Sequence, residues 1–246
     1  MHVSAVSSLL FGSAVVFGSP VMLKRDVSTL ISLSALRRPP KTPMNPQSDL
    51  EPSRCPEFCA GTNRTETDPE LYICGDPRLG PVSLPSGIPL EGIVGVDSTY
   101  RRFGGLCPGQ FLAEFTDKEG KMAYPPFEGY SIDTAGRPAV FNLTLTPGTY
   151  VDRFGSEFGR YVAPAGSPYA QRSLPPRNLN AAPDSKYPYN YYVYAVARSL
   201  VVQAGPIAPW FGQPGLGLQF LLSASLSDLV QHGVLTRVDL EADPNW

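Results

Sequence analysis

The chain has 246 residues and a formal net charge of -2, with 42% apolar and 17% charged residues. This composition is typical of a globular protein with a buried core, and it argues against a disordered chain or a basic nucleic-acid-binding protein. The 27 prolines and 23 glycines favour short strands and many turns over long helices, in one large or two small domains.

The N-terminus has the pattern of a secretory signal peptide. Residues 1–20 contain no acidic residue, lysine or arginine, and an apolar stretch from Leu9 to Phe17 ends in small residues. A membrane anchor or a buried apolar helix is the alternative, but a bilayer span needs roughly 20 apolar residues. We therefore predict a secreted protein, extracellular or associated with the cell surface, without a membrane span. Residues 37–43 are basic and rich in proline, and we interpret residues 21–50 as a flexible or pro-region.

Residues 51–125 form a second region, which contains every cysteine of the chain. In an oxidising compartment the cysteines should form two disulfides, with three possible pairings. A four-thiolate zinc site is the alternative, but the spacing lacks the paired C-x2-C of zinc ribbons. We interpret the region as disulfide-stapled and loop-rich, and two sequons that predict glycosylation agree with secretion. The cysteines are Cys55, Cys59, Cys74 and Cys107, and the sequons begin at Asn63 and Asn142.

Short periodic segments follow in chain order. Ile88 to Val96 predicts a strand or a short helix, and Ala139 to Leu145 alternates apolar and polar residues as a strand does. Tyr191 to Ala197 is aromatic and β-branched, which also predicts a strand. We predict a further strand over Leu216 to Ser223, where Gly217 would allow a ligand to approach the backbone. Ser225 to Gln231 is the one convincing helix, with a capping box at its start. Together these segments predict an α+β protein whose C-terminal domain, residues 126–246, is a small twisted, mostly antiparallel sheet.

The residue inventory excludes several common catalytic arrangements. The chain has two histidines: His2 lies in the predicted signal peptide, and His232 lies at a helix end, where an imidazolium stabilises the helix. A Ser-His-Asp triad and a histidine-rich metal site are therefore disfavoured. Bridged cysteines offer no thiolate, and no G-x-S-x-G, phosphate-binding loop or dinucleotide-fold glycine motif is present.

Arginines and aromatic residues are concentrated in one stretch, residues 151–176. It contains Arg153, Arg160 and Arg172 among glycines, together with Tyr161. Arginine binds phosphate through two parallel hydrogen bonds, and tyrosine offers a ring face and a hydroxyl. This combination suits a dinucleotide pyrophosphate with flanking rings. The alternative is a turn-rich region whose arginines are solvated.

A second stretch, residues 207–220, places large apolar groups and glutamines in a Gly/Pro-rich loop. Trp210 and Phe211 are the large apolar groups, and Gln213 and Gln219 are uncharged polar groups suited to an amide or a ribose hydroxyl. For the glutamines, a strand position facing solvent is the alternative.

Together the two stretches resemble the tuberculosis necrotizing toxin (TNT) family, and within it the secreted fungal NAD glycohydrolases. The resemblance covers residues 145–240 and implies hydrolysis of NAD, and of NADP, to nicotinamide and ADP-ribose. It also implies a small domain built on a twisted β-sheet, distantly like the ADP-ribosyltransferases. The matching elements are D-R-F-G at 152–155, G-x-Y-x-x-P at 159–164, R-S-L-P-P at 172–176, and A-P-W-F-G-Q-P-G at 208–215 continued to Gln219-Phe220.

The resemblance also implies roles for individual residues. Arg153 would hold the dinucleotide or its pyrophosphate, Tyr161 would stack on or hydrogen-bond the substrate, and Arg172 would bind phosphate. Gln219 would lie at the nicotinamide riboside, where related transferases use a glutamate, and Gln213 is the alternative catalytic glutamine. No cofactor is required for this chemistry, and Glu157 is the carboxylate nearest in sequence that could stabilise a cationic sugar. The further expected substrate contacts are Phe154, Trp210, Phe211 and Gln213.

Fungal members of the family also imply a homodimer and a calcium site. Three acidic residues of the C-terminal tail could supply hard oxygen ligands to calcium, and a solvated acidic terminus is the alternative. The competing functions are an ADP-ribosyl-transferring toxin and a non-catalytic, disulfide-stapled surface or adhesion protein. In the second of these, the candidate site residues would be scattered in space. The acidic residues of the tail are Asp239, Glu241 and Asp243.

Overall fold

The computed structural model describes residues 54–62, 69–85, 88–95, 99–181 and 190–240. The predicted signal peptide, residues 21–50 and the sequon at Asn63 lie outside these residues. Within the described part of the chain, no helix is long and apolar enough to cross a membrane. The helices are α1 (Leu90–Val94), α2 (Pro108–Phe115) and α3 (Leu226–Gln231), and the strands are β1 (Phe141–Leu145), β2 (Tyr150–Phe154), β3 (Tyr161–Pro164), β4 (Tyr191–Val196), β5 (Leu200–Pro206), β6 (Leu218–Leu221) and β7 (Leu235–Arg237).

The strands form one seven-stranded sheet in the order β1-β5-β6-β3-β2-β4-β7. Every pair of neighbouring strands is antiparallel. Strand β2 lies inside the sheet, with Val151 opposite Pro164 of β3 on one side and Tyr194 of β4 on the other. The predicted α+β class with a mostly antiparallel sheet is therefore confirmed.

The three predicted strands are present, as β1, β4 and β6. The segment from Ile88 forms the helical alternative, α1. Strands β2, β3 and β5 were not predicted, because glycine and proline interrupt or flank their short apolar runs. The predicted close approach at Gly217 exists, but it is made by the protein itself: a Cβ there would lie 2.6 Å from the backbone oxygen of Gln171.

The expectation of a single convincing helix is wrong, because α2 is also present. Helix α3 has the predicted N-cap, with the Ser225 hydroxyl accepting from the Asp228 N–H at 3.1 Å. Helix α2 begins with Pro108, and the Gln110 side chain accepts from the Cys107 N–H at 3.0 Å. A proline at the first helical position and a glutamine at the third are signals for the start of a helix. We did not predict α2 from them because the helix is short and contains a glycine.

Both faces of the central strands β2 and β4 are buried. On one face Val151, Val162 and Phe220 pack with the apolar side of α3. On the other face Phe154 and Tyr191 pack against α1 and the 3-10 helix Tyr169–Arg172. Burial of both faces makes the sheet a rigid frame, and the cavity described below lies at the ends of β2, β3 and β6.

A third apolar cluster joins the cysteine-containing region to the C-terminal domain. Phe103, Phe111 and Phe115 from the first region pack against Phe211 from the second. Disulfides Cys55–Cys107 and Cys59–Cys74 staple this region, which resolves the pairing that the sequence left open. The first of them attaches the segment that begins at residue 54 to the start of α2.

Buried tyrosines should make the protein sensitive to alkaline pH. Burial raises the pKa of the Tyr191 and Tyr194 hydroxyls, and their carboxylate partners Asp152 and Glu157 raise it further. These hydroxyls stay protonated in the folded protein, whereas those of the unfolded chain ionise near pH 10. The unfolded state then binds fewer protons, so the free energy of unfolding should be unaffected by these groups at neutral pH and should fall as the pH rises above about 10.

Urea unfolding between pH 7 and pH 11 tests this expectation. Tyr191→Phe should lower stability at pH 7, because the hydrogen bond to Asp152 is lost, and should also flatten the decline above pH 10. An equally steep decline in the variant would contradict the assignment.

Candidate active site

A cavity of about 370 Å³ lies at the ends of the central strands and joins the two sequence stretches. Its volume falls in the range of small-molecule sites. Five of the eight predicted site residues line it, so residues up to 66 positions apart converge in space, which a scattered surface arrangement would not produce. These five are Arg153, Phe154, Tyr161, Arg172 and Gln219.

Arg153 is a half-buried cation whose charge is not neutralised by any described carboxylate. Its Nε donates to the Ser156 carbonyl at 2.8 Å, and its Nη1 donates to the Tyr161 carbonyl at 2.8 Å. Burial lowers the pKa of the guanidinium, as expected for a desolvated charge without an ion-pair partner. A Cβ at Gly159 would collide with the guanidinium, so the glycine of the G-x-Y motif provides the space that the arginine occupies. The remaining N–H groups are available to an anion.

Arg172, in contrast, is a neutralised cation. Its Nη1 and Nη2 donate to the two oxygens of Asp152 at 2.5 and 2.8 Å, and its Nε donates to the Ser167 carbonyl at 3.0 Å. The side chains are 4% and 0% exposed. Burial lowers the pKa of Arg172, but the Asp152 carboxylate outweighs that effect and raises it. This geometry favours a positioning role, and phosphate binding by Arg172 stays a prediction.

Asp152 is the centre of this buried network. Its carboxylate also accepts from the Tyr191 hydroxyl at 2.8 Å and from the Gly166 N–H at 2.9 Å. The network ties β2, β4 and the turn after β3 into one unit. Phe154 lies beside it, with its ring 4.6 Å from that of Tyr191 and 5.2 Å from the Arg172 guanidinium carbon. Both interactions fix the floor of the cavity.

Tyr161 and Gln219 approach the cavity from neighbouring strands, β3 and β6. Burial raises the pKa of the Tyr161 hydroxyl, and the negative charge of Glu128 raises it further. The Gln219 Nε2 donates to the Glu128 carbonyl at 3.0 Å. This bond orients the amide without introducing charge.

Three residues expected to contact the substrate, Trp210, Phe211 and Gln213, are not among the residues that line the cavity. Phe211 is fully buried in the third apolar cluster. The Trp210 indole donates to the Ala123 carbonyl at 2.7 Å, and the Gln213 amide donates to the Arg101 carbonyl. Of the two candidate catalytic glutamines, only Gln219 reaches the cavity.

These side chains instead support a wall of the cavity. Tyr124 lines the cavity, and its ring packs edge-on against that of Phe211 with 5.4 Å between centroids. The apolar loop was misassigned because its partners, in and around α2, are about 100 residues away in the chain. Sequence reasoning also missed Tyr124, Glu128 and Asn178 as lining residues, since no local motif marks them.

Glu157, the expected carboxylate, is used elsewhere and does not line the cavity. It forms an ion pair with Arg237 at 2.5 Å and accepts from the Tyr194 hydroxyl at 2.6 Å. Proximity in sequence suggested Glu157 as the carboxylate that stabilises the cationic sugar, but the turn between β2 and β3 directs its side chain toward β7. Its expected catalytic role is therefore withdrawn.

The structure tests the calcium prediction only in part. Asp239 is described, whereas Glu241 and Asp243 lie outside the described residues. Within the described ranges, no three histidine, cysteine or acidic side chains are grouped as metal ligands. Calcium binding by the tail stays a prediction.

Known proteins share sequence with this chain. The family model described as tuberculosis necrotizing toxin matches residues 144–238. The conidial surface nicotinamide adenine dinucleotide glycohydrolase nadA of Aspergillus fumigatus is 49% identical over 198 residues, which cover 78% of this chain and 81% of that protein. Among solved structures, tuberculosis necrotizing toxin complexed with its immunity factor IFT is 19% identical, with 78% of this chain and 86% of that chain covered and a TM-score of 0.37. That TM-score is too low to support an argument. With 49% identity over four-fifths of the curated relative, this chain belongs to the tuberculosis necrotizing toxin family.

Proposed function

We propose that this protein is a NAD glycohydrolase, which uses water to cleave the nicotinamide–ribose bond of NAD and releases nicotinamide and ADP-ribose. Family membership and the name of the fungal relative support the proposal. The observation that carries it is the cavity itself, where the guanidinium of Arg153, which pairs with no carboxylate among the described residues, and the amide of Gln219 line one space.

The chemistry needs little from the protein at the leaving group. Nicotinamide leaves NAD as a neutral molecule, because the electron pair of the breaking bond cancels the pyridinium charge. The ribose then passes through a cationic state like that of glycoside cleavage. An enzyme for this reaction must hold the diphosphate, limit access of bulk water and stabilise the cationic sugar.

The lining residues divide these tasks. Arg153 carries the positive charge for the diphosphate, and Tyr161 offers a ring face and a hydroxyl to the substrate. Gln219 contacts the sugar end through an uncharged amide. A cation without a carboxylate partner is what a dianionic diphosphate requires, since no internal salt bridge must break before it binds.

Finer features are part of the same proposal. Secretion is supported by the signal-like N-terminus and by the surface location in the name of the relative. The sequon residue Asn142 is exposed on the edge strand β1, which suits glycosylation. Hydrolysis of NADP, a homodimer and a calcium site in the tail are proposed from the family resemblance alone.

Replacing Gln219 with alanine tests the location of the site. We expect kcat for NAD to fall about 100-fold, the usual scale for losing one preorganised group, while KM changes much less. Release of nicotinamide, measured by chromatography on secreted protein, gives both constants. Gln231→Ala, at an exposed position on α3, is the matched control and should retain full activity.

Two results would contradict the proposal. Full activity of Gln219→Ala would place the chemistry elsewhere, and a wild-type protein that releases no nicotinamide would not be a NAD glycohydrolase. If a protein acceptor gained the mass of ADP-ribose in the same mixture, the transferase alternative would replace hydrolysis.

A further inference from the structure

We propose that Glu128, which precedes the family domain in the chain, supplies the catalytic carboxylate of this site. Its role is to stabilise the cationic ribose and to accept a proton from the attacking water. This inference rests on the proposed hydrolysis of NAD. The family model begins at residue 144, so the residue lies in a segment that this chain places before the domain.

Of the carboxylates in the cavity, only one is available to a substrate among the described residues. Two acidic residues, Asp152 and Glu128, are among the described residues that line it. Asp152 is held by both terminal nitrogens of Arg172, by the Tyr191 hydroxyl and by the Gly166 N–H. Its charge is neutralised and its oxygens are occupied, so Glu128 is the carboxylate available to a substrate.

The backbone of the turn that contains Glu128 has an unusual geometry. Phe127 and Glu128 adopt φ angles of 54° and 57°, in the left-handed region that residues other than glycine rarely occupy. Two bonds hold this turn: Gln219 donates to the Glu128 carbonyl at 3.0 Å, and the Ala208 N–H donates to the Gly129 carbonyl at 2.8 Å. The side chain of the proposed catalytic glutamine is thus fixed against the backbone of Glu128.

The electrostatics agree with that placement. Burial raises the pKa of Tyr161, the negative charge of Glu128 raises it further, and Arg160 partly offsets both. Burial raises the pKa of Tyr130, Gln219 lowers it, and Glu128 raises it. The carboxylate therefore lies near the side of the cavity formed by Tyr161 and Gln219. It remains exposed, so it can pass a proton to solvent.

The reaction balances with these groups alone. The bond between ribose C1′ and the pyridinium nitrogen breaks, and its electron pair stays with nicotinamide. The water oxygen bonds to C1′, and one water proton moves to the Glu128 carboxylate and then to solvent. One NAD and one water thus give nicotinamide, ADP-ribose and one proton, and nothing is oxidised or reduced.

Glu128→Gln tests the role of the charge. The variant keeps the side-chain shape and the backbone carbonyl that Gln219 contacts, so the turn and the thermal unfolding midpoint should not change. We expect kcat for NAD to fall about 100-fold, the lower end of general acid–base contributions, with KM within threefold of wild type. Glu114→Gln, an exposed position on α2, is the matched control and should retain wild-type kcat.

A rescue experiment separates catalysis from structure. Glu128→Ala leaves space at the cavity wall that a small carboxylate can occupy, so added sodium formate should raise the kcat of this variant at least tenfold. Formate should not raise the kcat of Gln219→Ala. A purely structural role would give no rescue.

Wild-type kcat in Glu128→Gln, or no formate rescue of Glu128→Ala, would overturn the proposal while leaving NAD hydrolysis in place. A wild-type protein that releases no nicotinamide is a separate result, which would contradict the proposed function and this inference with it.

Discussion

Replacing Arg153 with alanine is expected to lower kcat/KM for NAD roughly 1,000-fold, because truncating one member of a buried charge pair costs about 2–5 kcal/mol. In the free protein the guanidinium contacts two backbone carbonyls and no described carboxylate. Its charge is therefore unneutralised until an anion binds. We expect the loss in both KM and kcat, since the diphosphate is held in the ground state and in the transition state alike.

The conservative variant sharpens this prediction. Arg153→Lys keeps the charge but cannot form two parallel bonds to phosphate, so most of the loss should remain. The matched control is Arg137→Ala, which removes an exposed ion pair with Asp133 and should leave the activity unchanged. Near wild-type kcat/KM in Arg153→Ala, measured with a fluorescent NAD analogue, would show that another group binds the diphosphate.

Asp152→Asn is expected to lower the free energy of unfolding by about 3–5 kcal/mol, because it leaves the Arg172 guanidinium buried without a counter-ion. The Arg172 and Asp152 side chains are 4% and 0% exposed, so water cannot compensate. In a protein of this size the loss corresponds to a fall of about 10 °C in the unfolding midpoint. Thermal unfolding followed by circular dichroism measures it.

A double variant tests the structural role of Arg172. Arg172→Met together with Asp152→Asn removes both charges, and it should recover part of the stability that each single variant loses. The exposed counterpart, Asp133→Asn, should leave the unfolding midpoint unchanged. If Asp152→Asn unfolded at the wild-type temperature, the buried network would not be what holds the cavity wall.

The contrast between Arg153 and Arg172 explains why the sequence predicted the site only in part. Both arginines lie in matching motifs, and the sequence assigned both to phosphate. The difference between them is a partner 20 positions away, Asp152, which binds Arg172 and leaves Arg153 free. The packing of the 3-10 helix Tyr169–Arg172 against the sheet decides which arginine meets that carboxylate, and no spacing rule within the motif encodes it.

The apolar loop at Trp210 and Phe211 illustrates the same limit. Large apolar groups among glycines and prolines are typical of a ligand pocket and equally of a packing contact. The phenylalanines in and before α2 bury Phe211, and only their arrival from the cysteine-containing region decides between the two interpretations.

The sequence by itself determined the features that depend on neighbouring residues: the strands β1, β4 and β6, the capped helix α3, and the two stretches whose residues meet in the cavity. Only the tertiary structure decided the disulfide pairing, which arginine is paired with Asp152, and that Glu128 and not Glu157 lines the cavity. The physical reason is that charge and burial depend on which groups surround a side chain in space. In this fold those groups come from distant strands and from the segment that precedes the sheet.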